Sequence, residues 1–244
     1  MRMLAQALLA HTDTLATTAS LADPDALVPT CPEWTIRRLV THVGQAHRYS
    51  TTAVRTHQAA PASTADPGPQ QNWRTWLTGG AEDLLAALRT TGPDTEVWTR
   101  FGTRRALFWL RRMTHDTVVH NVDAALTTGA EFKIEDSLAA DGITEYLELA
   151  IARIAAGLLP SVERLRGDGE TIRLNATTGQ TWLITRTSTG ISTDLVAGQA
   201  DVTATGSPQD LLLLLTRRTS QNAPQIAVTG GQELLEHLLA STDF

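Results

Sequence analysis

Within HDTVVHNVD, residues 115–123, two histidines and two aspartates stand among apolar positions. Asp116 and His120 are four residues apart, so a helix places them one above the other on a single face. A carboxylate oxygen and an imidazole nitrogen at that spacing suit one divalent metal ion. Two ligands do not complete a site, and the same pair also reads as a polar patch on a solvated helix face. A third ligand has to come from a neighbouring helix, where TIRRLVTHVGQAHRYS offers His42 and His47. His42 shares a face with Leu39, Val43 and Ala46, the face a bundle buries, and His47 shares one with Ile36, Val40 and Val43. Periodicity therefore does not choose between them. Five apart, they point in different directions, and only one is expected at the ion. A His/Asp/His set leaves a coordination position open, the mark of a catalytic rather than a structural zinc site. Asp123, three residues after His120, reads as a carboxylate supporting the ligand from behind or as a helix-end charge. His115 is expected to face elsewhere.

These residues need helices to hold them. Leu4, Leu8, Leu15 and Leu21 can form one stripe of a first helix over residues 3–20. After the turn-rich ADPDALVPTCPEW, Thr35 is a suitable N-cap for a second helix. QAAPASTADPGPQQ reads as a surface linker, and a third helix is expected from about Trp73 to Leu88. The fourth, from about Thr103 to Thr127, carries HDTVVHNVD, and a fifth stops before Pro160. Beyond Pro160, TIRLNAT, TWLITRT, GISTDLV and ADVTATG are short, Thr- and Val-rich and separated by turn residues, the pattern of an antiparallel sheet. Ser207 then caps a leucine-rich helix with Pro208 at its first position and two arginines at its end. A strand QIAVTG and a helix QELLEHLLA close the chain. The expected architecture is an all-α bundle over residues 1–160 followed by a small α+β domain over 161–244.

Composition narrows the function. At 244 residues with 42% hydrophobic and 19% charged side chains, the chain can bury a sizeable core. A net charge of −6 argues against a nucleic acid or an anionic membrane surface as partner. No apolar run approaches the length of a membrane span, and Gln6, His11 and Asp13 interrupt the N-terminal run before it becomes a signal segment. The single cysteine, Cys31, has no internal partner, which fits a reducing cytoplasm. A monomer or small homo-oligomer is expected. Several other residues take structural readings. Trp34 is expected to anchor the start of the second helix, Cys31 to be a small buried side chain, and Trp73, Trp76, Trp98 and Trp109 to belong to the bundle core. The basic cluster TRFGTRR reads as a solvated helix start, and the TGG at 229–231 resembles no phosphate loop.

LVPTCPEWTIRRLVTHVGQAHRYS resembles the N-terminal signature of the mycothiol-dependent maleylpyruvate isomerase family, a branch of the DinB-like metal-binding bundles. RRMTHDTVVHNVDAAL is similar to that family's second signature, an acidic residue, three spacers, His, two spacers and Asp on the fourth helix. ADVTATGSPQDLLLLLTRRT resembles its C-terminal domain, a sterol-carrier-like α+β unit, and the pieces occur in the family's order over nearly the whole chain.

The resemblance implies His42, Asp116 and His120 as metal ligands, and so selects His42 over His47. It matches Asp123 to the family's acidic position after the second histidine, and Arg218 to an arginine that serves the active site, with Arg217 a close rival. The implied cofactors are Zn2+, or another divalent metal that such ligands accept, and mycothiol as thiol co-substrate. The implied partners are that thiol and a small electrophile. A thiolate that adds to an electron-poor double bond and leaves again isomerises it; one that stays gives S-transfer. The family carries Glu where this chain has Asp116, one methylene shorter, so the ligand helices must approach more closely. Two further readings are a lipid-carrying module on the same fold, and an enzyme that attaches a thiol to a natural-product intermediate.

Overall fold

The computed structural model describes residues 1–159, 162–195 and 199–242. The chain packs as two units, Met1–Phe132 and Lys133–Phe244.

The first unit holds four long helices: α1 (Arg2–Leu21), α2 (Ile36–Thr56), α3 (Trp73–Thr91) and α4 (Leu107–Thr128). Leu4, Leu8 and Leu15 of the expected stripe are buried, with Thr12 and Ala19 beside them, whereas Leu21, at the last position of α1, is exposed to solvent. Thr35 caps α2, its hydroxyl accepting from the Arg38 N–H at 3.2 Å. α4 ends at Gly129, whose φ of 71° supplies the left-handed residue that closes a helix. α1 and α2 each pack on both α3 and α4, so α1 and α2 stand on one diagonal of the bundle, α3 and α4 on the other. Trp73, Leu77, Leu15, Ile36, Leu39 and Val43 fill its centre.

Two short hairpins interrupt what the sequence presents as purely helical. β1 (Leu27–Val28) pairs with β2 (Cys31–Thr35), and β3 (Glu96–Thr99) pairs with β4 (Gly102–Arg105). α4 therefore starts four residues later than the expected Thr103, because Gly102–Arg105 is held by pairing with Glu96–Thr99. The basic cluster lies in this exposed hairpin rather than in a helix start.

The second unit contains α5 (Asp136–Ala155), α6 (Val162–Leu165), β5 (Thr171–Ala176), β6 (Thr181–Thr187), β7 (Gly190–Asp194), β8 (Val202–Gly206), α7 (Pro208–Leu215), β9 (Ala227–Gly230) and α8 (Gln232–Ser241). Expected as the fifth bundle helix, α5 instead packs against α7 and β7, which moves the division from residue 160 to 132/133. The helix pattern is legible locally; which core receives its apolar face is not. Pro160, expected to stop that helix, lies outside the described residues.

The sheet order is β7-β6-β5-β8-β9. β8 runs parallel to β5 while the other neighbours are antiparallel, so the sheet is mixed rather than antiparallel throughout. Strand alternation turns Ile172, Leu174, Val202 and Ala204 into the core and Thr171, Arg173 and Asn175 to the other face. Ser207 caps α7 by accepting from the Asp210 N–H at 3.1 Å, and Pro208 occupies its first turn, as expected.

Candidate metal centre

α2 carries His42, and α4 carries Asp116 and His120 one turn apart. The three side chains each offer one ligand atom, and no two of these atoms lie farther apart than 4.8 Å. His42 Nε2 is 3.8 Å from Asp116 Oδ2, and the two imidazole centroids are 4.9 Å apart at 77°. Two ligand atoms of a tetrahedral zinc ion are separated by about 3.4 Å, so the His42–Asp116 spacing fits and the widest one needs only a small side-chain adjustment. His42 is on the rim, its side chain 37% exposed, and not on the buried face that spacing alone assigned to it.

The surroundings prepare these groups for a cation. Asp123 is 0% exposed, and its Oδ2 lies 2.8 Å from His120 Nδ1. A carboxylate only accepts, so Nδ1 carries the proton and Nε2 keeps its lone pair for a ligand. Asp123 Oδ1 accepts from the Thr30 hydroxyl at 2.5 Å, so the turn between β1 and β2 anchors the far side of the same carboxylate. Arg112, one turn before Asp116, donates to its Oδ1 at 3.0 Å and leaves Oδ2 toward His42.

Burial alone would raise the Asp116 carboxyl, but the Arg112 guanidinium, with His120 and His42, holds it well below the usual carboxylate range. Burial lowers the His42 imidazole against the pull of Asp116. At neutral pH the centre therefore presents a charged carboxylate and an unprotonated His42, the forms that ligate a metal. Trp34 of β2 sets its indole against both histidines, with centroids 4.8 Å from His42 and 5.8 Å from His120. It packs on the bundle core as expected, and it also flanks the candidate His42/His120 pair.

His47, the rival of His42, is fully buried and meets Thr117 Oγ1 at 2.9 Å, away from the cluster. His115 is buried as well and stands outside it, as its spacing suggested. Cys31, expected to be buried, is intermediate in exposure. Arg218 belongs to the second unit, where it donates to the Thr216 carbonyl at 2.6 Å. With Arg217, whose φ is 62°, it lines a cavity of about 510 Å³ that also includes Ser220, Gln221 and Glu236. Both arginines line that cavity, so position there does not divide the two candidates.

Sequence reasoning passed over Arg112, Thr30 and the second role of Trp34. Arg112 had a local signal, its four-residue spacing from Asp116. Thr30 had none, since its partner lies 93 residues away.

Residues 5–125 match the family model of the mycothiol maleylpyruvate isomerase N-terminal domain, and residues 137–237 match the model of that isomerase's C-terminal domain. Among solved structures, one of a mycothiol-dependent maleylpyruvate isomerase is 17% identical, with 93% of this chain and 92% of that chain covered and a TM-score of 0.60. A point mutant of such an isomerase is 15% identical over the same shares, with a TM-score of 0.59. At these identities the likeness is one of fold, and it covers the N-terminal bundle and the C-terminal α+β unit alike. No curated protein matches the chain significantly.

Proposed function

This chain belongs to the mycothiol maleylpyruvate isomerase family, and from that premise we propose that it is a metal-dependent enzyme that uses a low-molecular-weight thiol, mycothiol, to isomerise a small electrophilic substrate. The observation that carries this reading is the convergence of His42, Asp116 and His120 from two helices, with His120 oriented by Asp123. Zinc is the metal this donor set suits, two imidazoles and one carboxylate with room for a further ligand. When bound, such an ion supplies Lewis acidity that favours the thiolate form of a thiol at neutral pH.

The chain's own residues define what happens around that thiol. Asp116 contributes one oxygen because Arg112 restrains the other. Asp123 is a positioning residue, since its buried side chain reaches His120 and not solvent. Trp34 gives the centre a flat apolar wall against which a planar conjugated substrate can lie. The thiolate adds to one carbon of an electron-poor double bond, and the π electrons move onto the conjugated carbonyl. The bond that has become single rotates, the carbon–sulfur bond breaks, and the double bond returns in the other geometry with no net oxidation. An adduct whose enolate takes up a proton at the α-carbon, from the solvent, is retained rather than expelled, and the same centre is then an S-transferase. Arg218 is assigned the role of a carboxylate or thiol clamp through its match to the family motif, its planar guanidinium suiting bidentate contact. Among the described residues no helix is long and apolar enough to cross a membrane, and a chain whose single cysteine, Cys31, can form no internal disulfide suits a reducing cytoplasm.

Metal content by mass spectrometry, on wild type beside His42→Ala and His120→Ala, tests the reading. About one zinc per chain is expected in wild type, lost in both variants. Wild-type protein that carries no metal and takes up none when zinc is offered would falsify it.

A further inference from the structure

Two contacts join α2 and α4 in one antiparallel register. His42 Nε2 lies 3.8 Å from Asp116 Oδ2, and the Tyr49 and Trp109 rings meet with centroids 5.6 Å apart at 77°. Tyr49 follows His42 by seven residues on α2, and Trp109 precedes Asp116 by seven on α4. Seven residues make two helical turns, so both contacts lie on one seam, about 10 Å apart along it. A cluster of rings surrounds the second contact. Phe108 packs edge-on to Trp109 at 5.3 Å, and Phe101, from the turn between β3 and β4, packs edge-on to Phe108 at 6.2 Å. Trp109 is buried and its indole N–H donates to the Trp98 carbonyl at 3.1 Å, whereas Tyr49, Phe101 and Phe108 are half-buried. In the turn between the two contacts α2 carries Ala46, itself half-buried, and α4 carries Arg112, which donates to Asp116. One methyl group thus stands where the turns on either side carry rings. It leaves a trough in the seam, with His42 and Trp34 at one end and Tyr49 and Trp109 at the other.

We infer that this trough takes an aryl group of the electrophilic substrate, so that the enzyme selects electrophiles carrying an aromatic ring beside the reacting double bond. The inference rests on the function proposed above and adds Ala46, Tyr49 and Phe108 to it as specificity-determining residues. The rings around Trp109 meet edge-to-face, an arrangement that one more aromatic group can extend. The Arg100 guanidinium, 6.0 Å from the centre of the Tyr49 ring, helps to hold that ring as a fixed wall. Along its length the trough admits one six-membered ring and a short chain besides the reacting double bond. Ala46 sets its depth, since a larger side chain there would stand where the ring lies.

Titration with benzylacetone tests this on metal-free and zinc-loaded protein, because this neutral ketone has the ring but no double bond to accept a thiol. Butanone, the same ketone without the ring, is the control. The readout is the Trp109 indole N–H resonance, assigned with Trp109→Phe. Benzylacetone is expected to shift that signal and to bind at least about tenfold more tightly than butanone, the effect of burying one ring. Ala46→Leu fills the trough with a good helix former and should weaken benzylacetone at least about tenfold while leaving butanone unchanged. Tyr49→Leu should weaken benzylacetone as well, through the loss of the aromatic wall. Equal affinity for the two ketones in wild type, or wild-type affinity for benzylacetone in Ala46→Leu, overturns the inference. Zinc content is read on the same samples. If zinc is absent while the preference for the ring still depends on Ala46, the proposed function falls and the aryl site stands. If zinc is present and the ring makes no difference, the reverse holds.

Discussion

Asp123 and His120 meet through a 2.8 Å contact between a carboxylate oxygen and imidazole Nδ1, with the carboxylate fully buried and held from behind by Thr30. The contact sets the histidine tautomer, because an acceptor at Nδ1 forces the proton there and the lone pair onto Nε2. It also makes the proposed metal centre dependent on the β1–β2 turn, since Thr30 belongs to that turn and not to α2 or α4, which carry the candidate ligands.

Asp123→Asn removes the charge while keeping the shape. Zinc affinity should fall about 10–100-fold with the helical content unchanged, the usual effect of losing a ligand's supporting carboxylate. Thr30→Val should lower it less, since Asp123 itself remains. Competition with a chromophoric chelator measures both, and an unchanged affinity in Asp123→Asn would remove the positioning role.

Arg112→Met removes the strongest attraction that holds the Asp116 carboxyl down. The carboxyl then titrates at higher pH, and a protonated carboxyl does not ligate. Zinc release on acidification should therefore begin at higher pH in the variant than in wild type. Coincident release curves would show that Arg112 does not tune this ligand.

His47 gives the fold its own pH dependence. Burial pushes its imidazole down to about 4, against 6.5 for the free side chain. Below pH 6.5 the unfolded chain takes up a proton that the folded chain refuses, so stability falls as pH drops from 6.5 toward 4. The loss across that window is roughly 3 kcal/mol, and it is absent above pH 6.5. Urea unfolding of wild type and His47→Gln at several pH values measures it. The variant starts less stable because its contact with Thr117 changes, but its curve should be flatter over this window. Parallel curves would contradict the assignment.

Gly44 allows α3 to approach α2 beside His42, a proposed metal ligand. A Cβ there would lie 1.9 Å from the Trp76 ring, and Arg48 pins that ring from above, 4.2 Å from its centre, while donating to the Gly44 and Trp76 carbonyls. Gly44→Ala should destabilise the first unit by about 1–3 kcal/mol through overpacking, despite alanine's higher helix propensity. Thermal unfolding followed by tryptophan fluorescence reads the effect, and a Tm equal to or above that of wild type would contradict it.

The sequence alone determined the features governed by neighbours along the chain. The four-residue step from Asp116 to His120 places both on one helix face, the Thr35 and Ser207 caps mark helix starts, and strand alternation reveals Ile172 and Leu174 as core. These follow from the 3.6- and 2-residue periods and from short-range hydrogen bonds. Motif likeness supplied the choice of His42 over His47, which periodicity had left open. Only the tertiary structure decided that Thr30 anchors Asp123, that Trp34 lies against both histidines, that α5 joins the second unit and that β8 runs parallel to β5. Each of these depends on which distant surface completes a face, and an apolar stripe or a lone carboxylate specifies that it needs a partner without specifying which one.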